Sequence, residues 1–140
     1  MEVVAKLAPL AVTTHFKNVA AKEYPDGFLL SEVPLGQGIL NPGQVVDTIR
    51  KARPRARLNL EMITRDPLKI PCLADTYWVT FPERNGEYLA RTLRLVRDHP
   101  PAGPLPHVSG LDEEARCREE EENVRRCLAY ARDQLGLRVA

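Results

Sequence analysis

Cysteine is scarce: Cys72, Cys117 and Cys127 are three, an odd number with no CxxC spacing, which argues against a disulfide framework and a structural zinc site. Charge of one sign is missing as well. Lys+Arg 20 against Asp+Glu 19 leaves a formal charge of +1, far from the basic excess that counterion release asks of a nucleic-acid binder. No apolar run approaches the ~20 residues of a membrane span. The opening MEVVAKLAPLAV is broken by Glu2 and Lys6 and has no small-residue cleavage site, which disfavours a signal peptide. These absences lead to the expectation of a soluble, cytoplasmic chain with buried free thiols and no nucleic-acid or membrane partner. Its 140 residues suit one domain.

Proline is abundant instead, at 12 residues, and its positions punctuate the chain. Val3, Val4 and Leu7 have helical spacing that ends before Pro9. Leu10 to Val19 alternates, with Val12, Thr14 and Phe16 on one face and Thr13, His15 and Lys17 on the other, and reads as a strand. A turn at Tyr24-Pro25-Asp26-Gly27 leads to a second extended stretch, Phe28 to Val33, and then to the loop Pro34-Leu35-Gly36-Gln37-Gly38. Asn41-Pro42-Gly43-Gln44 is a helix start: Asn41 caps, Pro42 suits the first helical position and Gln44 sits where a capping box closes. That helix ends at Arg53-Pro54, and Arg57 to Ile63 alternates again as a strand. Strand, crossover helix and strand predict a βαβ unit with a parallel pair.

Thr64 to Pro82 holds Pro67, Pro71 and Pro82 among Tyr77, Trp78 and Phe81, and reads as a long ordered loop. Helices follow over about 86–98 and 111–135, separated by a proline-rich segment at 100–110. The run Glu119-Glu120-Glu121-Glu122 reads as a solvated helix face. His99 and His107 read as plain loop residues, and Cys72 as a buried, inert thiol.

His15 and Glu61 fall near the ends of their strands, each on the polar face. If those strands are parallel neighbours the two side chains converge, and imidazole plus carboxylate is half of a divalent-metal site. The plainer alternative is a pair of polar residues on a solvated sheet face.

The run Thr14-His15-Phe16-Lys17-Asn18, then Glu32-Val33-Pro34-Leu35-Gly36-Gln37-Gly38, then Leu58-Asn59-Leu60-Glu61 continuing through Met62-Ile63-Thr64-Arg65-Asp66-Pro67, resembles the carboxyl-terminal part of the sugar phosphate isomerase/epimerase family, the xylose isomerase-like TIM barrels. The resemblance covers most of residues 1–98 and, more loosely, the last helix. It implies an α/β fold: a partial (β/α) barrel made of the last strands and helices of a TIM barrel, with an added carboxyl-terminal helix. The corresponding division is 1–99 as barrel, 100–110 as linker, and 111–140 as an amphipathic helix packing on the barrel.

For chemistry, the resemblance implies a divalent cation (Mn, Mg, Co or Zn) held by two Glu, one Asp and one His. His15 matches the His and Glu61 the last Glu, which also exchanges a substrate proton. Lys17 matches a lysine that orients substrate or steadies an enediolate oxygen. The implied ligand is a sugar or sugar phosphate. Arg65 and Lys69 are candidates to meet an anionic group and Trp78 to exclude water, although the loop aromatics and cations equally suit packing and solvation.

Departures are two. A TIM barrel has eight strands, so the family's first Glu and its Asp are expected upstream of Met1, and Asn18 stands where the family has Asp. The rival expectation is a non-catalytic remnant or assembly module that pairs with itself or with a missing barrel half. A metal-dependent endonuclease on the same barrel is disfavoured by the near-zero charge.

Overall fold

A computed structural model describes residues 1–138. Helix α1, Glu2–Leu7, carries a Lys6 to Glu2 ion pair one turn apart at 2.8 Å, and Pro9 then tightens the chain into a 3₁₀ turn, Ala8–Leu10. Val4 packs on the core while Val3 and Leu7 stay exposed. Strand β1 is therefore shorter than the alternation suggests, at Thr13–Phe16. It does not run on to Val19. At Lys17 the chain leaves one sheet for another, and β2 (Asn18–Tyr24) folds back on β3 (Gly27–Val33) as an antiparallel hairpin from Asn18 opposite Val33 to Tyr24 opposite Gly27. Gly27 has φ +151, and a Cβ there would lie 2.2 Å from the Ile70 carbonyl oxygen, so the turn requires glycine.

Helix α2, Pro42–Ala52, begins as the sequence predicts: the Asn41 side chain accepts the Gln44 N–H at 3.2 Å and Pro42 occupies the first turn. It buries Val45, Val46 and Ile49. The chain then enters β4, Arg57–Leu60, which pairs in parallel with β1, His15 opposite Asn59 and Phe16 opposite Leu60. The expected parallel pair is present, with one difference. The crossover contains the β2–β3 hairpin as well as α2, and the strand stops at Leu60 instead of reaching Ile63.

The segment read as an irregular loop contains regular structure. Leu68–Ile70 forms β5 on the free edge of β3, Leu30 opposite Leu68 and Phe28 opposite Ile70, and Asp75–Trp78 forms a 3₁₀ turn. Pro67 and Pro71 bound β5 without breaking it, because an edge strand has one side of its backbone free. Helix α3, Gly86–Asp98, starts on Asn85, whose side chain accepts the Glu87 N–H at 2.9 Å. Helix α4, Glu113–Asp133, starts on Asp112, which accepts the Ala115 N–H at 2.8 Å.

The result is mixed α/β, with four helices, the parallel sheet β1–β4 and the antiparallel sheet β2–β3–β5 among the described residues. The described strands do not close a barrel. One core joins the layers: Phe16, Leu35, Val46, Ile49 and Met62 pack with Cys127 and Ala131 of α4. Phe16, Leu58 and Leu60 thus turn one sheet face toward the helices, leaving Thr13, His15 and Asn59 on the other. Cys72 and Cys127 are buried, and burial pushes both thiols up. Cys117 is not. It is exposed, because it lies off the apolar stripe of α4. Among the described residues no helix is long and apolar enough to cross a membrane.

Candidate functional site

The parallel register decides which side chains meet. Phe16 O accepts the Glu61 N–H at 3.0 Å, so Glu61 is fixed just beyond β4, beside the end of β1. His15 projects from the outer face of β1, and Lys17 follows at the residue where the chain changes sheets. The consequence is a shared carboxylate. One Glu61 oxygen meets His15 Nδ1 and the other accepts from Lys17 Nζ.

A second acid stands behind this group. Glu32, 6% exposed on β3, lies 3.5 Å from Lys17 Nζ through Oε1, and its Oε2 accepts the Ile63 N–H at 2.8 Å. Arg65 lies 3.9 Å from the same Glu32 Oε1. Lys17 is thus held between two carboxylates, and Glu32 between two cations. Glu32 lies in the sequence motif, which assigns it no role. Its burial comes from β3 lying against the segment after β4, a contact between residues 31 apart that no local pattern encodes.

These contacts set the protonation states. The hydrogen bond from Lys17, and secondarily the one with His15, hold the Glu61 carboxyl below its ordinary range, against a smaller desolvation effect. The bond to Glu61 holds the Lys17 ammonium above its ordinary value, with desolvation opposing and Glu32 assisting. At neutral pH the site therefore presents an ionised Glu61 and a charged Lys17. His15 is largely open to solvent, its side chain 76% exposed, while Glu61 is 26% exposed. Solvent reaches the group from the His15 side.

The loop after Glu61 is held from behind by α4. Glu120 accepts the Thr64 N–H at 2.6 Å and Asn123 donates to Thr64 Oγ1 at 3.0 Å. Glu120 is therefore not merely part of a solvated face, although its glutamate neighbours are exposed. Asp66 accepts the Val108 and Ser109 N–H groups at 2.5 and 3.0 Å, pinning the proline-rich segment to the same loop.

Lys69 and Trp78 stand elsewhere. Lys69 is exposed on β5 opposite Leu29, and Trp78 packs with Tyr77 and Phe81 while its indole N–H donates to Cys72 O at 3.0 Å. Neither joins the Glu61 network. Arg65 does, through Glu32.

The resemblance in sequence implies a divalent cation at His15 and Glu61. Those two supply one nitrogen and one oxygen donor, but the second Glu61 oxygen already faces the Lys17 ammonium. No three metal-ligating His, Cys, Asp or Glu side chains gather among the described residues. The donor set of this chain does not fit a divalent cation without further ligands. No family model, curated protein or solved structure matches the chain.

Proposed function

We propose that this chain carries the proton-transfer part of a sugar or sugar phosphate isomerase/epimerase, built as the last strands and helices of a partial (β/α) barrel. The observation that carries the reading is Glu61, held between His15 and Lys17 at the carboxyl ends of two parallel strands. An ionised carboxylate beside an ammonium suits abstraction of a proton from a carbon next to a carbonyl. Glu61 takes the proton, the electron pair moves onto the carbonyl oxygen, and Lys17 steadies the enediolate with a donor not used by Glu61. Return of the proton from Glu61 to the former carbonyl carbon, with the adjacent hydroxyl proton passing to the former carbonyl oxygen, gives the isomer; protonation of the original carbon on its other face by a separate acid, such as water, gives the epimer. A substrate oxygen that draws Lys17 from Glu61 also relieves the depression of the carboxylate and strengthens it as a base. Divalent-metal binding belongs to this reading only where other donors join His15 and Glu61.

The test is proton exchange. The chain is incubated in deuterated water with a panel of ketoses, aldoses and their phosphates, with and without Mn, Mg, Co or Zn, and followed by proton NMR. Deuterium entering the carbon beside the carbonyl, and failing to enter with Glu61→Gln, supports the reading. No exchange with any member, or equal exchange in the variant, overturns it.

A second reading, an assembly module without catalysis, is favoured by a different observation. Among the described residues the parallel sheet has two strands with open outer edges, and Leu10 and Val12 beside it are 77% and 67% exposed. Parallel sheets are ordinarily covered, and open edges invite pairing with another copy or a complementary barrel half. Sedimentation equilibrium decides: self-association, or association with a supplied barrel half, supports this reading, and a monomer that binds neither opposes it.

A further inference from the structure

The chain has three Phe, four Tyr and one Trp, and five of these line a single cavity of about 380 Å³ between the β3–β5 edge and α3. They are Phe28, Tyr77, Trp78, Phe81 and Tyr88. The volume lies within the range of small-molecule sites. Tyr77, Trp78 and Phe81 hold one another with ring centroids 5.2 to 5.3 Å apart. The indole N–H is already committed to Cys72 O, so Trp78 has only its apolar ring surface to offer. Tyr88 and Phe81 remain 61% and 43% exposed at the rim.

The charge lining this cavity has one sign. Among the described residues Glu83 is the single charged side chain in its lining, and no Lys or Arg contributes. Two neighbouring cavities that share part of this lining add Asp75 and Arg84 in one and Arg91, Arg94 and Asp98 in the other, so charges of both signs stand outside it and the acid inside the lining is what distinguishes this cavity. Aromatic faces attract cations through the ring quadrupole, most strongly for tryptophan, and a carboxylate at the rim adds to that attraction. An anionic ligand meets no cation in the main cavity, and a sugar finds few polar partners there.

We propose that this cavity binds a small organic cation of the quaternary or alkylated ammonium class, with Trp78 and its aromatic neighbours around the cationic head and Glu83 opposite the charge. The site lies on the antiparallel sheet and is independent of the Glu61 group.

Trp78 is the only tryptophan, so its emission reports directly on the cavity. The full chain is titrated with choline and, separately, with the uncharged alcohol in which carbon replaces the choline nitrogen. Saturable change in Trp78 emission with choline at about tenfold higher affinity than with the alcohol is expected. Glu83→Gln, an exposed position whose replacement leaves packing intact, is expected to weaken choline several-fold and leave the alcohol unchanged. No saturable change with choline, equal affinity for the two compounds, or an unchanged choline affinity in Glu83→Gln overturns the proposal.

Discussion

The carboxylate of Glu32 accepts the Ile63 backbone N–H at 2.8 Å, so a buried acid on β3 fixes the chain two residues beyond Glu61. Glu32→Ala leaves that amide and the Lys17 ammonium short of a partner and is expected to cost about 1–3 kcal/mol. Glu32→Gln keeps an acceptor oxygen for Ile63 but gives up the charge and the oxygen facing Lys17, so its cost is smaller than that of Glu32→Ala. Urea denaturation of both variants, with hydrogen exchange at the Ile63 amide, checks this. Equal losses in the two would show that the bond to Ile63 is not what Glu32 supplies.

The shared Glu61 carboxylate gives stability a pH dependence at both extremes. Glu61 has its folded pKa lowered below the ordinary 4.5, so its contribution is present above that pH and is lost as pH falls through the folded value. Lys17 has its folded pKa raised above the ordinary 10.5, so its contribution is present below that pH and is lost as pH rises through the folded value. Lys17→Met removes the largest cause of the Glu61 shift, and carbon-detected NMR of the Glu61 carboxyl is expected to show its titration moving upward. A titration unmoved by Lys17→Met would assign the depression to His15 instead.

Much of this was legible because it was local. Asn41, Pro42 and Gln44 mark the start of α2, the Phe28 to Val33 stretch lies in β3, and alternation puts His15 on the outer face of β1 and Glu61 just past the end of β4, the strand that pairs with it in parallel. What was hidden depended on contacts between distant segments. Lys17 marks a change of sheet only because β1 finds β4 while β2 finds β3. Leu68–Ile70 becomes a strand because β3 offers an edge, although the flanking prolines alone suggest a loop. Glu120 looks like its three glutamate neighbours until the fold brings the Thr64 N–H to it. Trp78 reads as a cover for the Glu61 loop, whereas the aromatic trio it joins packs beside α3.

Gly36 and Tyr130 make a second testable pair. Gly36 has φ +85, and a Cβ built on it would lie 2.3 Å from the Tyr130 ring, which packs against the core from α4. Gly36→Ala therefore meets backbone strain and a clash together, and a loss of about 1–3 kcal/mol is expected from the backbone part alone. Tyr130→Ala opens the space, so the same glycine substitution in that background should cost less. A double-mutant cycle by thermal unfolding measures the difference. Additive effects would mean that the ring yields freely and only the backbone conformation matters.

Asn18 makes the strongest case for reading a residue from its own contacts. It is 2% exposed, its Nδ2 donates to Leu40 O at 3.1 Å, and its Oδ1 accepts the Val19 N–H at 3.0 Å. A Cβ on Gly38 would fall 2.2 Å from that Oδ1, so the loop after β3 closes directly over the amide. An amide satisfies both backbone groups, whereas an ionised carboxylate offers no donor to Leu40 O and sets two oxygens against each other in a buried place. Asn18→Asp is therefore expected to lose about 1–3 kcal/mol at neutral pH. Burial raises the folded pKa of the new acid above its unfolded value, so the protonated form, which regains an O–H donor, is the better tolerated. The deficit relative to the native chain should then shrink as pH falls through that raised pKa. Denaturation of both chains at neutral and mildly acidic pH checks the sign. A deficit that stays constant or grows toward acid would refute the donor role of Asn18.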